Sequence, residues 1–184
     1  ELLDRAIDRG VGTRTAILSP EGVRWTYAEL LAHANRIAQV LRDDMALVPG
    51  NRVLLRGPNT PLMAACWFAV IKAGGIAVAT MPLLRAKELT EIVRKAEISH
   101  ALCDARLADE LESARGHCPT LKAIAHFATS AADGVEALAS AKSAEFADVR
   151  TAADDTALIA FTSGTTGTPK GTMHFHRDVL AACD

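Results

Sequence analysis

The stretch TSGTTGTPKG, residues 162–171, directly follows the apolar run ALIAF at residues 157–161. The apolar run predicts a buried strand. The ten residues after it hold three glycines, five hydroxyl side chains, one lysine and no acidic group. Glycine lets the main chain approach a ligand closely, and successive backbone N–H groups can point into one concavity that binds an anion. A strand that leads into such a loop predicts a polyphosphate site, so nucleotide chemistry is the leading hypothesis.

This loop differs from the P-loop of nucleoside triphosphatases. In a P-loop, Gly-Lys is followed by Ser or Thr and then by a helix. Here Lys170 follows Pro169 and precedes Gly171, and the next residues favour a strand, with a helix beginning near His176. The pattern therefore predicts a strand, a loop and a second strand. The alternative is a Gly- and Thr-rich hairpin turn that binds no ligand.

The residues from Phe161 to Gly171 resemble the signature loop of the adenylate-forming superfamily. This superfamily comprises the acyl- and aryl-CoA synthetases, the adenylation domains of peptide synthetases, and the luciferases. Two upstream blocks are similar to the early part of such enzymes, namely WTYAEL at residues 25–30 and GNRV at residues 50–53. An apolar helix that ends in Ala73-Gly74-Gly75 follows the second block, so the resemblance spans nearly the whole chain.

The resemblance implies an ATP-dependent carboxylate–CoA ligase with two half-reactions. A carboxylate attacks the α-phosphorus of Mg²⁺-ATP to give an acyl-adenylate and pyrophosphate, and the thiol of coenzyme A then displaces AMP. Catalysis would be mainly electrostatic, because donors and cations stabilise charge on the departing pyrophosphate. In the family the loop contacts the β- and γ-phosphates, which implies this role for the matching residues Thr162, Ser163, Gly164, Thr165, Thr166, Gly167 and Lys170.

The segment GTMHFHRD, residues 171–178, is most similar to aryl-CoA ligases of the benzoate and aminobenzoate type. This narrower resemblance implies an aromatic carboxylic acid as the substrate. Three alternatives stay open: a peptide-synthetase adenylation domain, a luciferase-like enzyme, and a non-catalytic module that binds ATP.

The family pattern is incomplete within residues 1–184. The segments that normally hold adenine, ribose, the acid and Mg²⁺, and the small C-terminal domain with its catalytic lysine, would lie after Asp184. We therefore expect residues 1–184 to be the N-terminal part of the large domain and to be inactive alone. A surface connector is predicted at residues 141–155, and the strand–phosphate loop–strand unit at residues 157–176. No catalytic residue is assigned within this part.

Composition indicates an ordinary globular protein. The chain is 49% hydrophobic and 23% charged, with a net charge of −2. Its lysines and arginines are scattered, so no basic surface is predicted that would attract nucleic acid. The cysteines show no C-x-x-C spacing, which favours free buried thiols in a reducing, cytoplasmic environment over disulfides or zinc. They are Cys66, Cys103, Cys118 and Cys183.

One segment is long enough to be tested as a membrane span. Residues 61–84 carry a single charge, Lys72, and Gly74-Gly75 interrupts the helical pattern. A lysine at the centre of a membrane helix costs about 2.5–3.5 kcal/mol. We therefore predict no membrane span, but a core helix followed by a short core strand at residues 76–79.

The alternation of apolar runs with helical periods predicts an α/β fold, a mostly parallel sheet flanked by helices. A capping box at Thr26-x-x-Glu29, and Thr60 followed by Pro61, predict two helix starts. The predicted strands are 15–18, 23–25, 52–56, 76–79, 99–103, 121–126 and 157–161. The predicted helices are 2–9, one from residue 26, 60–73, 86–96, 107–115 and 135–140. Ligands bind beyond the carboxyl ends of such strands, and the loop after Phe161 is in that position.

Other polar residues near strand ends carry separate hypotheses. His174 and His176 would share one face of an extended strand, but no third metal ligand is identifiable, so packing or capping is favoured over metal binding. Asp104 follows a strand and is either functional or a turn residue, with no partner identifiable in the sequence. Residues 56–59 are interpreted as a turn that leads into a helix, and Asp154-Asp155 as a solvated turn.

Overall fold

A computed structural model of the protein describes residues 2–162 and 169–183. The strands are β1 (Thr15–Leu18), β2 (Arg24–Thr26), β3 (Arg52–Arg56), β4 (Ile76–Thr80), β5 (His100–Asp104), β6 (Ala123–Phe127), β7 (Thr156–Thr162) and β8 (Lys170–Phe175). The α-helices are α1 (Leu2–Asp8), α2 (Tyr27–Gln39), α3 (Pro61–Lys72), α4 (Ala86–Lys95), α5 (Ala108–Arg115), α6 (Val135–Ser140) and α7 (His176–Ala181). A π-helical turn extends α2 at Val40–Asp44, and a 3₁₀ turn precedes α5 at Ala105–Leu107.

Six strands form the main sheet in the order β6-β5-β3-β4-β7-β8, while β1 and β2 form a separate antiparallel hairpin. The strands from β6 to β7 run parallel, and β8 returns antiparallel to β7. The central strands β3 and β5 are buried almost throughout. Strands covered on both faces need apolar side chains on both, which is why their sequences are continuous apolar runs. The predicted α/β fold with a mostly parallel sheet is confirmed.

Helices cover both faces of this sheet. Val53 and Leu55 of β3 contribute to the cluster that contains α2, α3 and α6. Leu54, between them, contributes to the cluster that contains α4 and α5. Because successive side chains of a strand point to opposite faces, one short strand supplies both core layers.

Two helices begin where the sequence signals place them. The Thr26 hydroxyl accepts from the backbone N–H of Glu29 at 3.2 Å, and the Glu29 carboxylate accepts from the N–H of Thr26 at 2.7 Å. At the start of α3 the Thr60 hydroxyl accepts from the N–H of Met63, with Pro61 in the first helical position. These bonds satisfy backbone donors that have no partner within the helix, and so they define the two starts.

The apolar stretch at residues 61–84 is divided between α3 and β4, as predicted, with Gly74 at a φ of +74° in the turn. None of the helices within the described ranges is long and apolar enough to cross a membrane. Lys72 is the last residue of α3, and its buried ammonium lies 3.1 Å from an Asp4 carboxylate oxygen and 2.7 Å from one of Asp148. It therefore ties α1, and the segment before β7, to α3.

The segment between α6 and β7, residues 141–155, forms no helix or strand and is mostly exposed. It is nevertheless bonded to the helix layer beneath it. The side-chain amide of Gln39 donates to the carbonyl oxygens of Ser143 and Glu145 at 2.6 and 3.1 Å. The path of this segment into β7 is therefore set partly by α2.

Candidate functional site

The antiparallel pair β7–β8 frames the candidate site. Thr162 lies opposite Lys170, and Phe161 opposite Gly171. The side chains of Thr162 and Lys170 are both exposed. The structure thus places the first and the last of the predicted phosphate-binding residues side by side, where the connection between the strands begins and ends. The other predicted residues, Ser163, Gly164, Thr165, Thr166 and Gly167, lie outside the described residues.

The end of β7 shares one edge of the sheet with the ends of its parallel neighbours. Ala77 of β4 is paired with Leu158 of β7, so Thr80 and Phe161, each three residues further on, reach the same level. Ligands of parallel α/β sheets bind beyond this carboxyl edge, because the loops and the helix starts converge there. Thr162 and Lys170 are therefore positioned where a bound anion is expected.

A second lysine contacts the residue that precedes Lys170. The Lys95 ammonium, in the last turn of α4, donates to the carbonyl oxygen of Pro169 at 2.9 Å. Sequence reasoning missed this residue, since 74 positions separate the partners and no local pattern connects them. The contact links the start of β8 to the helix layer that contains α4.

At the end of β3, Arg56 is 1% exposed. Its Nε donates to the carbonyl oxygen of Leu107 at 3.4 Å, and its Nη1 to that of Met81 at 3.3 Å. Its Nη2 donates to the carbonyl oxygens of Pro82 and Leu84 at 3.1 and 2.9 Å. Burial lowers the pKa of the Arg56 guanidinium below its usual value. The interpretation of residues 56–59 as a turn leading into a helix overlooked this buried cation.

At the end of β5, the buried Asp104 carboxylate has a local partner, Arg106. Its Oδ1 accepts from the backbone N–H and from Nε of Arg106, both at 2.9 Å, and its Oδ2 accepts from Nη2 at 2.7 Å. The hydrogen bond with the Arg106 side chain is the main cause that holds the Asp104 pKa below its usual value, against the effect of burial. A carboxylate satisfied in this way caps the turn before α5, so the structure favours the turn interpretation.

The two histidines near the site belong to different elements. His174 is in β8, whereas His176 begins α7 and lines a cavity of about 480 Å³ together with Trp67, Phe68 and Leu180. The extended run ends at Phe175, so the two do not share the face of one strand. Within residues 2–162 and 169–183, no group of three or more His, Cys, Asp and Glu side chains is placed to hold a metal ion.

Three of the predicted buried thiols are buried and free, namely Cys66, Cys103 and Cys118, but Cys183 is exposed. Burial raises the pKa of the Cys103 thiol to about 12, and raises that of Cys66 as well. Neither thiol is therefore ionised near neutral pH, and a thiolate nucleophile at these positions is disfavoured.

A family model described as "AMP-binding enzyme" matches residues 3–184. A 3-hydroxybenzoate–CoA/4-hydroxybenzoate–CoA ligase of Thauera aromatica is 32% identical over 197 residues, covering 99% of this chain and 35% of the relative. The long-chain-fatty-acid–CoA ligase FadD13 of Mycobacterium tuberculosis is 31% identical over 163 residues, covering 87% of this chain and 31% of the relative. The chain thus spans about a third of the length of these curated relatives.

The fold is similar to that of solved enzymes. The crystal structure of ATP-bound MatB from Rhodopseudomonas palustris superposes with a TM-score of 0.87 at 27% identity. The similar region covers 98% of this chain and 36% of that one. The order of the strands and helices is therefore shared along almost the whole of the chain described above.

Proposed function

We propose that this chain, which belongs to the AMP-binding enzyme family, is part of an ATP-dependent carboxylate–CoA ligase. The observation that carries the proposal is the similarity, over 99% of the chain, to a ligase that joins hydroxybenzoates to CoA. The position of Thr162 and Lys170 at the carboxyl edge of the sheet supports it. Because the relatives are about three times as long, contacts to adenine, the acid and CoA are expected in sequence outside residues 1–184.

In the proposed reaction, an oxygen of the substrate carboxylate forms a bond to the α-phosphorus of ATP. The bond from that phosphorus to the oxygen bridging to the β-phosphate breaks, and pyrophosphate leaves with the bonding electrons. The CoA sulfur, after losing its proton, then attacks the carbonyl carbon of the acyl-adenylate, and AMP leaves. ATP, the acid and CoA are all substrates, and Mg²⁺ enters as part of Mg²⁺-ATP. Mg²⁺ is usually held by one or two carboxylates together with the phosphates of the substrate, and no residue of this chain is assigned to hold it.

The proposed role of this chain is to bind the leaving pyrophosphate. The Thr162 hydroxyl can donate a hydrogen bond, and Lys170 supplies a mobile positive charge suited to phosphate. The residues between them, Ser163 to Gly167, keep the predicted role of backbone and hydroxyl donors. These interactions strengthen as charge develops on the departing oxygens, so they accelerate the first half-reaction.

For the acid we propose an aromatic carboxylate. The similarity of residues 171–178 to aryl-CoA ligases supports this choice, as does the hydroxybenzoate ligase among the relatives. A fatty-acid ligase is almost equally identical in sequence, so the class of acid has to be tested directly.

An exchange assay tests both parts of the proposal. With the complete protein, benzoate and hydroxy- or aminobenzoates are expected to support exchange of labelled pyrophosphate into ATP at least about tenfold faster than fatty acids do. Reactions without acid provide the control. Addition of CoA should then release AMP and form a thioester. Exchange without any thioester would favour a peptide-synthetase type of adenylation domain, and no exchange with any acid would refute the ligase proposal.

A further inference from the structure

The buried guanidinium of Arg56 joins loops that follow two different strands. Three of its carbonyl partners belong to residues 81–84, after β4, and the fourth, Leu107, follows β5. No carboxylate within the described part of the chain lies within ion-pair distance of this guanidinium. Its donors are therefore used to hold backbone, in a planar arrangement that only arginine offers.

The C-terminal end of the loop that follows β4 is held by a residue of α5. Glu110 of α5 accepts from Arg85 Nη1 at 2.8 Å and from the backbone N–H of Ala86 at 2.7 Å. Within the stretch held by these two groups of bonds, the side chains of Met81 and Leu83 are 63% and 86% exposed. The Met81–Leu84 segment is thus held through its backbone, while these two apolar side chains project outward.

This segment lies beside the candidate phosphate site. It leaves the carboxyl end of β4, which neighbours β7 in the sheet, and Thr80 stands level with Phe161. The Met81–Leu84 segment and the end of β7 at Thr162 therefore lie at the same edge of the sheet, on adjacent strands.

We propose that Arg56 is a positioning residue, which fixes the Met81–Leu84 segment beside the proposed nucleotide site at the carboxyl edge of the sheet. The inference rests on the proposed function, since the site beside this segment is the one proposed to bind the phosphates of ATP. Arg56 acts through the backbone that it holds and does not touch the reacting atoms. If this backbone shifts, ATP loses contacts that it makes alike in the ground state and the transition state, and such a loss raises KM more than it lowers kcat.

The test compares two arginines of one strand in the complete protein. Arg56→Met keeps an unbranched, apolar side chain at this position and removes the hydrogen-bond donors. Arg52→Met is the matched control, because Arg52 lies at the opposite end of β3 and also donates to a backbone carbonyl, that of Ala96, at 2.8 Å. We expect Arg56→Met to accelerate amide hydrogen exchange in residues 83–86 and to raise the KM for ATP about ten- to a hundredfold, with a smaller change in kcat. Arg52→Met should do neither.

Two further variants keep the test decisive if Arg56→Met folds poorly. Arg56→Lys retains the charge but not the planar donors, and is expected to give an intermediate KM. Arg56→Ala leaves space for millimolar methylguanidinium, which should restore both the slow exchange and the low KM, whereas methylammonium should not.

Several results would overturn the inference. Unchanged hydrogen exchange in residues 83–86 would show that Arg56 does not hold the segment. Equal rises in the KM for ATP in the Arg56 and Arg52 variants would show that Arg56 contributes only to general stability. If the unmodified protein shows no acid-dependent exchange of pyrophosphate, the proposed function fails, and so does the proposed effect of Arg56 on nucleotide binding. The hydrogen-exchange measurement still tests separately whether Arg56 holds the segment.

Discussion

Replacing Lys170 by alanine is expected to slow acyl-adenylate formation by about 10²–10³-fold, while thioester formation from a supplied acyl-adenylate changes little. Lys170 is exposed at the start of β8, directly opposite Thr162, where the pyrophosphate is proposed to leave. Its charge interacts most strongly with the phosphate oxygens as negative charge accumulates on them. That charge is absent from the second half-reaction, which releases AMP after pyrophosphate has gone.

The two half-reactions can be measured separately in single-turnover experiments on the complete protein. Pyrophosphate release reports the first step, and AMP release from isolated acyl-adenylate plus CoA reports the second. Lys122→Ala is the control, since Lys122 is also exposed but precedes β6, the strand at the far side of the sheet. Equal slowing of both steps by Lys170→Ala would contradict the proposed contact with pyrophosphate.

The parts of the fold that were predictable from sequence depend on local interactions. The capping box at Thr26 and Glu29, and the proline after Thr60, are each completed within four residues, so the pattern contains the whole interaction. The buried strands were predictable as well, because an apolar run between turn residues can adopt few other structures in a chain of this composition.

The unpredicted parts depend on partners that are far apart in sequence. Periodicity does not specify the strand order β6-β5-β3-β4-β7-β8, since it contains no information on which strands are neighbours. It also does not reveal that Arg56 is buried, because arginine is usually exposed and the partners of Arg56 are backbone carbonyls without a sequence signature. Asp104 illustrates an intermediate case: its partner Arg106 is only two residues away, but the pairing is recognisable only once Asp104 is seen to cap the turn.

For the candidate site, the sequence identifies the chemistry of the residues and the structure supplies their location. A Gly- and Thr-rich loop after an apolar strand indicates anion binding wherever that strand lies. The pairing of β7 with β4 then places the loop's two ends at the carboxyl edge of the sheet. The contact between Lys95 and Pro169 also holds the start of β8, and no sequence motif indicates it. The assignment to CoA ligation rests on the relatives, because phosphate binding alone does not distinguish among nucleotide-dependent reactions.

Replacing Lys72 by alanine is expected to lower the free energy of unfolding by about 2–3 kcal/mol. The Lys72 side chain is 6% exposed, and its ammonium pairs with the carboxylates of Asp4 and Asp148, whose side chains are 40% and 35% exposed. Breaking a fully buried pair costs about 3–5 kcal/mol, and the expected loss is smaller here because water can reach both carboxylates. The substitution also removes the ion pairs that hold α1 and the segment before β7 to α3. Urea or thermal denaturation measures it, with the exposed Lys87 of α4 replaced by alanine as the control.

The pH dependence separates the loss of this ion pair from a simple loss of packing. Burial alone would raise the pKa of Asp4, but the hydrogen bond and the charge of Lys72 hold that pKa below its usual value. A carboxyl whose pKa is lower in the folded state contributes stability above its unfolded pKa of about 4, and loses that contribution as the pH falls through the lower, folded value. Lys72→Met keeps most of the packing, so its deficit relative to the unmodified protein should be constant from about pH 5 to 7 and shrink below about pH 4. A deficit that stays constant down to pH 3 would show that Lys72 stabilises the fold through its methylene groups and not through the charge pair.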